Sequence, residues 1–166
     1  MIVFLLCFLM ATLFLIINLK SKLLPIEVIF YWLVNAMLSY QIVFIVVTNL
    51  EWIKFTENDI SAITFIMNFI YLFPMLTLFF LSLLINSHST MNRILIMVAA
   101  LLLHTLLIHM GNVIELYDLH KVKMYHTLIY WIIVFLGNLG LLRGYRRMLR
   151  RAGVLYGNSH HAKEVR

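Results

Sequence analysis

Long apolar runs without charge are the feature that most constrains this chain. Residues 2–19 contain no charged side chain, and four further apolar stretches of similar length follow. A helix needs about 20 mostly apolar residues to cross a bilayer. Of the 166 residues, 63% are hydrophobic and only 12% are charged, whereas a soluble domain has about 25% charged residues. Lipid is therefore the expected solvent for most of the chain.

These runs predict an all-α integral membrane protein, a bundle of about five transmembrane helices. Barrel strands would instead alternate apolar and polar residues over about ten positions. The predicted spans are residues 2–19, 27–48, 60–85, 93–112 and 124–142. Pro25 and Glu27 suit the start of the second helix. Pro74 should kink the third helix, because proline removes a backbone donor.

The connection between the second and third spans, residues 49–59, carries several charges and is predicted to be an exposed loop. The weakest of the five spans are the fourth and the fifth. If either of them failed to insert, the chain would cross the membrane four times. The five-span arrangement segregates the charges well, and we therefore prefer it.

The distribution of Lys and Arg predicts the orientation. With five spans, one side of the membrane holds ten basic and two acidic residues, a net charge of +8. The other side holds three basic and five acidic residues, a net charge of −2, which together give the chain's +6. Since cytoplasmic segments carry the excess of Lys and Arg, we expect a cytoplasmic C-terminus and a very short external N-terminus. No amphipathic transit segment precedes the first span, so the plasma membrane is the simplest location.

The predicted membrane domain, residues 1–142, is followed by a basic cytoplasmic tail, residues 143–166. Five arginines of this tail fall on one helical face by their spacing: Arg143, Arg146, Arg147, Arg150 and Arg151. Each would gain about 1 kcal/mol from anionic lipid headgroups. An acidic partner protein is the alternative ligand, and without a recognition module the arginines do not indicate nucleic-acid binding. Residues 157–166, with His160 and His161, are predicted to be disordered.

Small residues mark a packing face on the fifth span. Gly140 and Gly144 form a Gly-x-x-x-Gly pair, and Gly137 lies on the same face. Small side chains let helix backbones approach closely in lipid, where hydrophobic attraction between helices is absent. Such a face meets another helix of its own chain more often than a second subunit, so we expect packing within the bundle.

Polar residues within the spans are expected to face the bundle interior. Asn35, Gln41, Asn68 and Asn138 would each be unfavourable against lipid, so we expect them to hydrogen-bond inside the bundle. The single cysteine, Cys7, cannot form an internal disulfide and is interpreted as a small apolar residue.

The histidines of the last two spans are the candidate chemical groups. His104 follows Arg93 by 11 residues, which places it roughly 16 Å into the membrane, near its centre. Ala100 and Gly111 share its face, so His104 should point into the bundle. Further ionisable groups gather towards the outer ends of the same helices: His109, Glu115, Asp118, His120 and His126. Imidazole and carboxylate groups could hold a metal or relay protons, although solvated or hydrogen-bonded structural roles are more usual.

No spacing among these residues matches a known ligand motif, and we expect no cofactor. A haem held by two histidines would need His104 or His109 against His126, because the first three spans contain no histidine. The chain also has no phosphate-binding glycine loop, no cysteine cluster and no Gly-x-Ser-x-Gly. These absences favour a protein that is not an enzyme.

The sequence does not specify an activity, and it leaves three hypotheses. The favoured one is an accessory subunit or assembly factor that works through helix contacts with another membrane protein or with itself. The second is a small transporter or proton or ion conductor that uses His104 and the outer histidines and carboxylates. The third is a membrane-embedded metal or haem protein that uses His109, His126 and Glu115.

Overall fold

The computed structural model describes residues 2–20, 23–55 and 59–151. Within these residues the chain forms helices α1 (Ile2–Leu19), α2 (Pro25–Phe44), α3 (Asp59–Met67), α4 (Phe73–Asn86), α5 (Thr90–Val113) and α6 (Met124–Arg151). One π-helical segment, Ile45–Asn49, extends α2, and a second, Asn68–Leu72, joins α3 to α4. Two short strands, β1 (Lys54–Phe55) and β2 (Tyr117–Asp118), lie in the connections.

Five continuous helices in the described residues are long and apolar enough to cross a membrane. They are Ile2–Leu19, Pro25–Asn49, Asp59–Asn86, Thr90–Val113 and Met124–Arg151. The helical fold class and the positions of the five apolar helices are thereby confirmed. The last four helices extend beyond their predicted bounds, because hydropathy marks the apolar part of a helix and not its caps.

The start of α2 follows the predicted signals. Pro25 occupies the first turn, and the backbone N–H of Leu24 donates to Oε2 of Glu27 at 2.9 Å. The Glu27 side chain is fully buried in this position. The carboxylate thus accepts a backbone donor at the helix N-terminus, which stabilises the point at which the chain enters α2.

The chain divides into two compact units, residues 1–132 and 133–166, with the boundary inside α6. In the first unit the helix Asp59–Asn86 is central. In its most apolar stretch of 18 residues 72% of the residues are buried, whereas the corresponding share is 11% to 28% in the other four long helices. Helices α1, α2 and α5 all contact α4. Large apolar side chains on the surrounding helices are exposed, for example Leu33 and Leu102, each 55% exposed. Such outward apolar faces suit an apolar solvent.

Pro74 is the second residue of α4, which follows the π-helical segment of the central helix. In a regular α-helix the N–H of residue 74 would donate to the Ile70 carbonyl, and proline has no N–H. The indole Nε1 of Trp32 in α2 donates to this carbonyl instead, at 3.2 Å. The side chain of Asn18 in α1 donates to the Met75 carbonyl at 3.0 Å. Two neighbouring helices therefore bond to the backbone around the break.

The strands β1 and β2 pair antiparallel, with Lys54 opposite Asp118 and Phe55 opposite Tyr117. The N–H of Lys121 also donates to the Trp52 carbonyl at 3.2 Å. The ladder joins the α2–α3 connection to the α5–α6 connection, and we call this end of the first unit the ladder end. The sequence predicted only an exposed loop here, since two-residue strands show no periodic pattern.

Tyr117 fixes β2 against the helices. It is 2% exposed, its hydroxyl donates to the Ile108 carbonyl at 2.7 Å, and its ring meets the Phe65 ring edge-on at 4.7 Å. Burial raises the pKa of the Tyr117 phenol above its ordinary range, so the hydroxyl remains a donor at neutral pH. A Cβ added at Gly111 would overlap this ring, lying 2.7 Å from Cε1. Only glycine permits this close approach.

We therefore expect Gly111→Ala to lower the free energy of unfolding by about 1–3 kcal/mol through overpacking. The matched control is Gly137→Ala, because a Cβ at that position meets no other side chain within 4 Å. The control should keep or slightly raise stability, since alanine is the better helix former. Denaturant titration of both variants in mild detergent measures the difference, and equal stabilities would contradict the proposed role of Gly111.

Candidate functional site

His104 lies in the interior of the first unit. It is 0% exposed, as is Ala100, and its predicted inward orientation is confirmed. Nδ1 lies 2.8 Å from the Ala100 carbonyl, and Nε2 lies 3.1 Å from Oγ1 of Thr77 in α4. The Ala100 carbonyl only accepts, so Nδ1 is the donor in that bond. A further hydrogen bond joins the imidazole to the backbone of Phe73. Both ring nitrogens are therefore hydrogen-bonded.

Aromatic side chains enclose this imidazole. The ring centroid of Trp131 lies 4.2 Å from that of His104, and those of Phe73 and Phe80 lie at 5.9 and 6.1 Å. Trp131 and Phe73 are 1% and 2% exposed. This environment holds the imidazole in one orientation and bonds α5 to the central helix. A hydrogen-bonded structural role for His104 is what this geometry supports best.

The predicted inward position of the polar span residues is confirmed for three of the four. Asn35 and Asn138 are buried and donate to backbone carbonyls one turn earlier, those of Tyr31 and Val134, at 2.7 and 2.8 Å. Asn68 is 9% exposed, and its side chain hydrogen-bonds the Cys7 thiol of α1. These residues act within the bundle as hydrogen-bonding groups.

The prediction for Gln41 was wrong, because its side chain is exposed. The buried polar and aromatic positions of α2 recur every four residues, at Tyr31, Asn35 and Ser39. Gln41 lies two residues beyond Ser39, about 200° around the helix. The polarity of the side chain indicated burial, whereas its position in the helical repeat directed it outward.

The remaining ionisable candidates lie at the ladder end but do not form one cluster. Glu115, Asp118 and His120 are exposed, and His109 and His126 are half-buried. In the part of the chain that the structure describes, no three His, Cys, Asp or Glu side chains are placed to hold a metal ion. The structure therefore adds no support to the metal hypothesis.

His126 serves the start of α6. The ring Nδ1 of His126 accepts a hydrogen bond from the backbone N–H of Lys123 at 3.1 Å. The backbone N–H of His126 donates to the Lys123 carbonyl at 2.9 Å. The imidazole ring also lies 5.2 Å from the Trp52 ring and 4.1 Å from the Tyr125 ring. These contacts resemble a capping box in which an imidazole replaces the usual carboxylate.

Glu115 ends α5 in a left-handed conformation, with φ at 57°. The next N–H, that of Leu116, donates to the Gly111 carbonyl at 3.0 Å, and Asn112 Oδ1 accepts the N–H of Leu119 at 2.8 Å. Glu115 thus occupies a helix-terminating position that glycine usually takes. The contacts around Glu115 and His126 determine the course of the backbone at the helix ends. The two side chains do not converge on one ligand site.

The glycine face of α6 is open. Gly137, Gly140 and Gly144 are exposed. A Cβ built at any of them meets no atom of the described chain within 4 Å beyond the helix's own backbone. The helix that the sequence predicts to pack against this face therefore stays a prediction.

The five arginines of the predicted tail belong to the same helix. α6 is helical through Arg151. Arg143, Arg147, Arg150 and Arg151 are exposed, whereas Arg146 is half-buried. Leu149 is 7% exposed, so this part of the helix has chemically different sides. The tail histidines His160 and His161, and the predicted disorder around them, lie outside the described residues.

Sequence reasoning missed three residues that hold the interior together: Trp32, Thr77 and Trp131. The signal for Trp32 was available, because Pro74 leaves the Ile70 carbonyl in need of a donor. No sequence signal pairs Thr77 with His104, since that contact depends on how α4 and α5 are rotated against each other.

Comparisons with known proteins add no further role for these residues. The chain matches no protein-family model, no curated protein and no solved structure.

We expect Thr77→Val to lower the free energy of unfolding by about 1–3 kcal/mol, because the near-isosteric change removes the hydroxyl that hydrogen-bonds His104 Nε2. Thr12→Val is the control: its hydroxyl bonds only its own helix, at Phe8, and its loss should change stability by about 0.5 kcal/mol or less. Denaturant titration in detergent compares the two. Equal losses would show that the Thr77–His104 hydrogen bond contributes nothing.

Proposed function

We propose that the protein is a multi-pass protein of the plasma membrane and works as an accessory subunit or assembly factor, without catalysing a reaction. Its binding surface is the face of α6 formed by Gly137, Gly140 and Gly144. The observation that carries the proposal is that this face is open, with space at all three glycines for another helix to approach.

The energetic cost of these glycines supports a partner. Glycine within a helix is about 1 kcal/mol less favourable than alanine. At Gly111 the cost has a local reason, the close approach of Tyr117. The described chain offers no such reason at Gly137, Gly140 or Gly144. Close packing against a helix of another membrane protein, or of a second copy, would supply one.

The arginines at the end of α6 support the orientation. Arg143, Arg147, Arg150 and Arg151 are exposed, and in a membrane they would lie where anionic headgroups attract them. The proposal therefore places the end of α6 in the cytoplasm and the ladder end outside. The arginines would hold α6 at a fixed depth, which sets the level at which the glycine face meets its partner.

The orientation is tested with two matched variants in a Cys7→Ser background, Lys121→Cys and Arg150→Cys. Both positions are exposed, and both changes remove one positive charge. A membrane-impermeant maleimide added to intact cells should label position 121, whereas position 150 should be labelled only after permeabilisation. Labelling in the reverse order would overturn the proposed topology.

The glycine face is tested with Gly140→Leu, which fills the space that a partner helix would need. Ala99→Leu is the control, because it adds similar bulk at an exposed position of α5. Native mass spectrometry of protein extracted gently from its own membrane should show wild type and control above 19.6 kDa. The Gly140→Leu variant should appear at the mass of the monomer.

The same spectra identify the partner. Added mass from another polypeptide supports an accessory subunit, and a multiple of the chain's own mass supports self-association. A wild-type protein that is always monomeric, or a Gly140→Leu variant that keeps its partner, would contradict the proposal.

A further inference from the structure

The last turns of α6 continue the glycine face as a basic surface. Arg147 follows Gly140 by seven residues, and Arg151 follows Gly144 by the same number. Seven residues make nearly two turns of an α-helix, so each arginine lies within about 20° of its glycine around the helix axis. Both arginines are exposed. We call the surface formed by Gly140, Gly144, Arg147 and Arg151 the open stripe.

The buried side of this part of α6 lies opposite the open stripe. Asn138, Leu142 and Leu149 are all buried. Each of them precedes a residue of the open stripe by two positions, which is about 200° around the helix. One side of the helix is therefore buried, and the side that carries the glycines and these two arginines is exposed.

The chain itself supplies few negative charges near these arginines. Helix α6 contains no aspartate or glutamate. In the proposed orientation the cytoplasmic side of the chain holds two carboxylates, those of Glu27 and Glu164, among ten basic residues. Glu27 is fully buried and accepts the N–H of Leu24, and Glu164 lies outside the described residues. This side of the chain thus has a net charge of +8.

The charge makes a second copy of the chain a poor occupant of the open stripe. In the proposed orientation all copies point the same way, so two α6 helices packed through their glycines would be parallel. Arg147 and Arg151 would then face the same arginines of the other copy at the same height. Like charges held between packed helices repel strongly, because little water separates them. The rest of the cytoplasmic side of a second copy carries the same excess of positive charge.

We propose that the open stripe binds a helix of a different membrane protein, one that carries aspartate or glutamate at its cytoplasmic end. That helix packs against Gly140 and Gly144, and its carboxylates pair with Arg147 and Arg151. The two arginines lie about 4.5 and 10.5 Å beyond Gly144 along the axis, so the carboxylates follow the packed segment within two turns. Arginine–carboxylate pairs are directional and fix the register of the two helices. The inference rests on the glycine-face proposal and adds the charge of the partner.

Two double variants with the same loss of charge test the pairing. Arg147→Gln with Arg151→Gln removes the arginines of the open stripe. Arg143→Gln with Arg150→Gln removes two exposed arginines that lie about 100° to one side, where lipid headgroups can neutralise them. Native mass spectrometry of protein extracted gently from its own membrane gives the ratio of partner-bound to free chain. The first variant should lower this ratio at least about tenfold, and the second should change it by less than about twofold.

Cross-linking tests whether the partner contributes a carboxylate. Arg151→Lys and Arg150→Lys keep the charge but each add a primary amine, on the open stripe and beside it. A carbodiimide activates a carboxylate, the lysine amine attacks it to form an amide, and the carbodiimide leaves as its urea. In isolated membranes Arg151→Lys should join the 19.6 kDa chain to a different polypeptide. The Arg150→Lys control, which has the same lysines elsewhere, should give much less of that product.

Three outcomes would overturn the inference. The first is a cross-linked product of two copies of this chain, which would mean self-association. The second is an equal loss of partner in the two double variants, which would mean that total charge matters and not its side of the helix. The third is a partner retained by the Arg147→Gln, Arg151→Gln variant, which would leave lipid headgroups as the anions at these arginines.

The Gly140→Leu variant separates this inference from the proposal on which it rests. Loss of the partner in Gly140→Leu but not in the Arg147→Gln, Arg151→Gln variant overturns the acidic partner alone. Loss in the arginine variant but not in Gly140→Leu overturns the glycine-face proposal alone.

Discussion

A backbone carbonyl in an apolar surrounding needs a hydrogen-bond donor, and Pro74 removes one from the middle of the most buried helix. Side chains of two neighbouring helices donate to the backbone around this break. Trp32 of α2 donates to the Ile70 carbonyl, and Asn18 of α1 donates to the carbonyl beyond the proline. One turn later Thr77 meets His104 of α5. Side chains of three other helices thus bond to the central helix between Ile70 and Thr77.

The sequence predicted the helices because their signal is strong and local. Apolar runs of about 20 residues mark each helix without reference to its neighbours. The sequence did not predict how those helices are rotated, which is a property of their packing. Gln41 shows the difference: its polarity suggested the interior, but the repeat set by Tyr31, Asn35 and Ser39 turns it outward. The β1–β2 ladder was missed for a similar reason, since two residues carry no pattern.

The same distinction applies to the candidate site. The inward orientation of His104 was predictable from the small residues on its face, whereas its partner Thr77 depends on the docking of α4. His109, Glu115 and His126 lie near one end of the molecule, as their depth suggested, yet similar depth does not bring side chains together. His126 turned out to cap a helix and Glu115 to end one. For the glycine face, the sequence identifies small residues at helical spacing, but it does not specify which helix packs against them.

The ladder also has a consequence for how the chain is made. β1 leaves the ribosome well before β2, and two long apolar helices, Asp59–Asn86 and Thr90–Val113, separate the strands. In the proposed membrane location, these two helices cross the membrane twice, so β2 lies on the same side of the bilayer as β1. If either helix failed to insert, the two strands would lie on opposite sides of the bilayer and could not pair. In the proposed membrane location, this four-residue ladder can therefore form only when both helices have crossed the membrane.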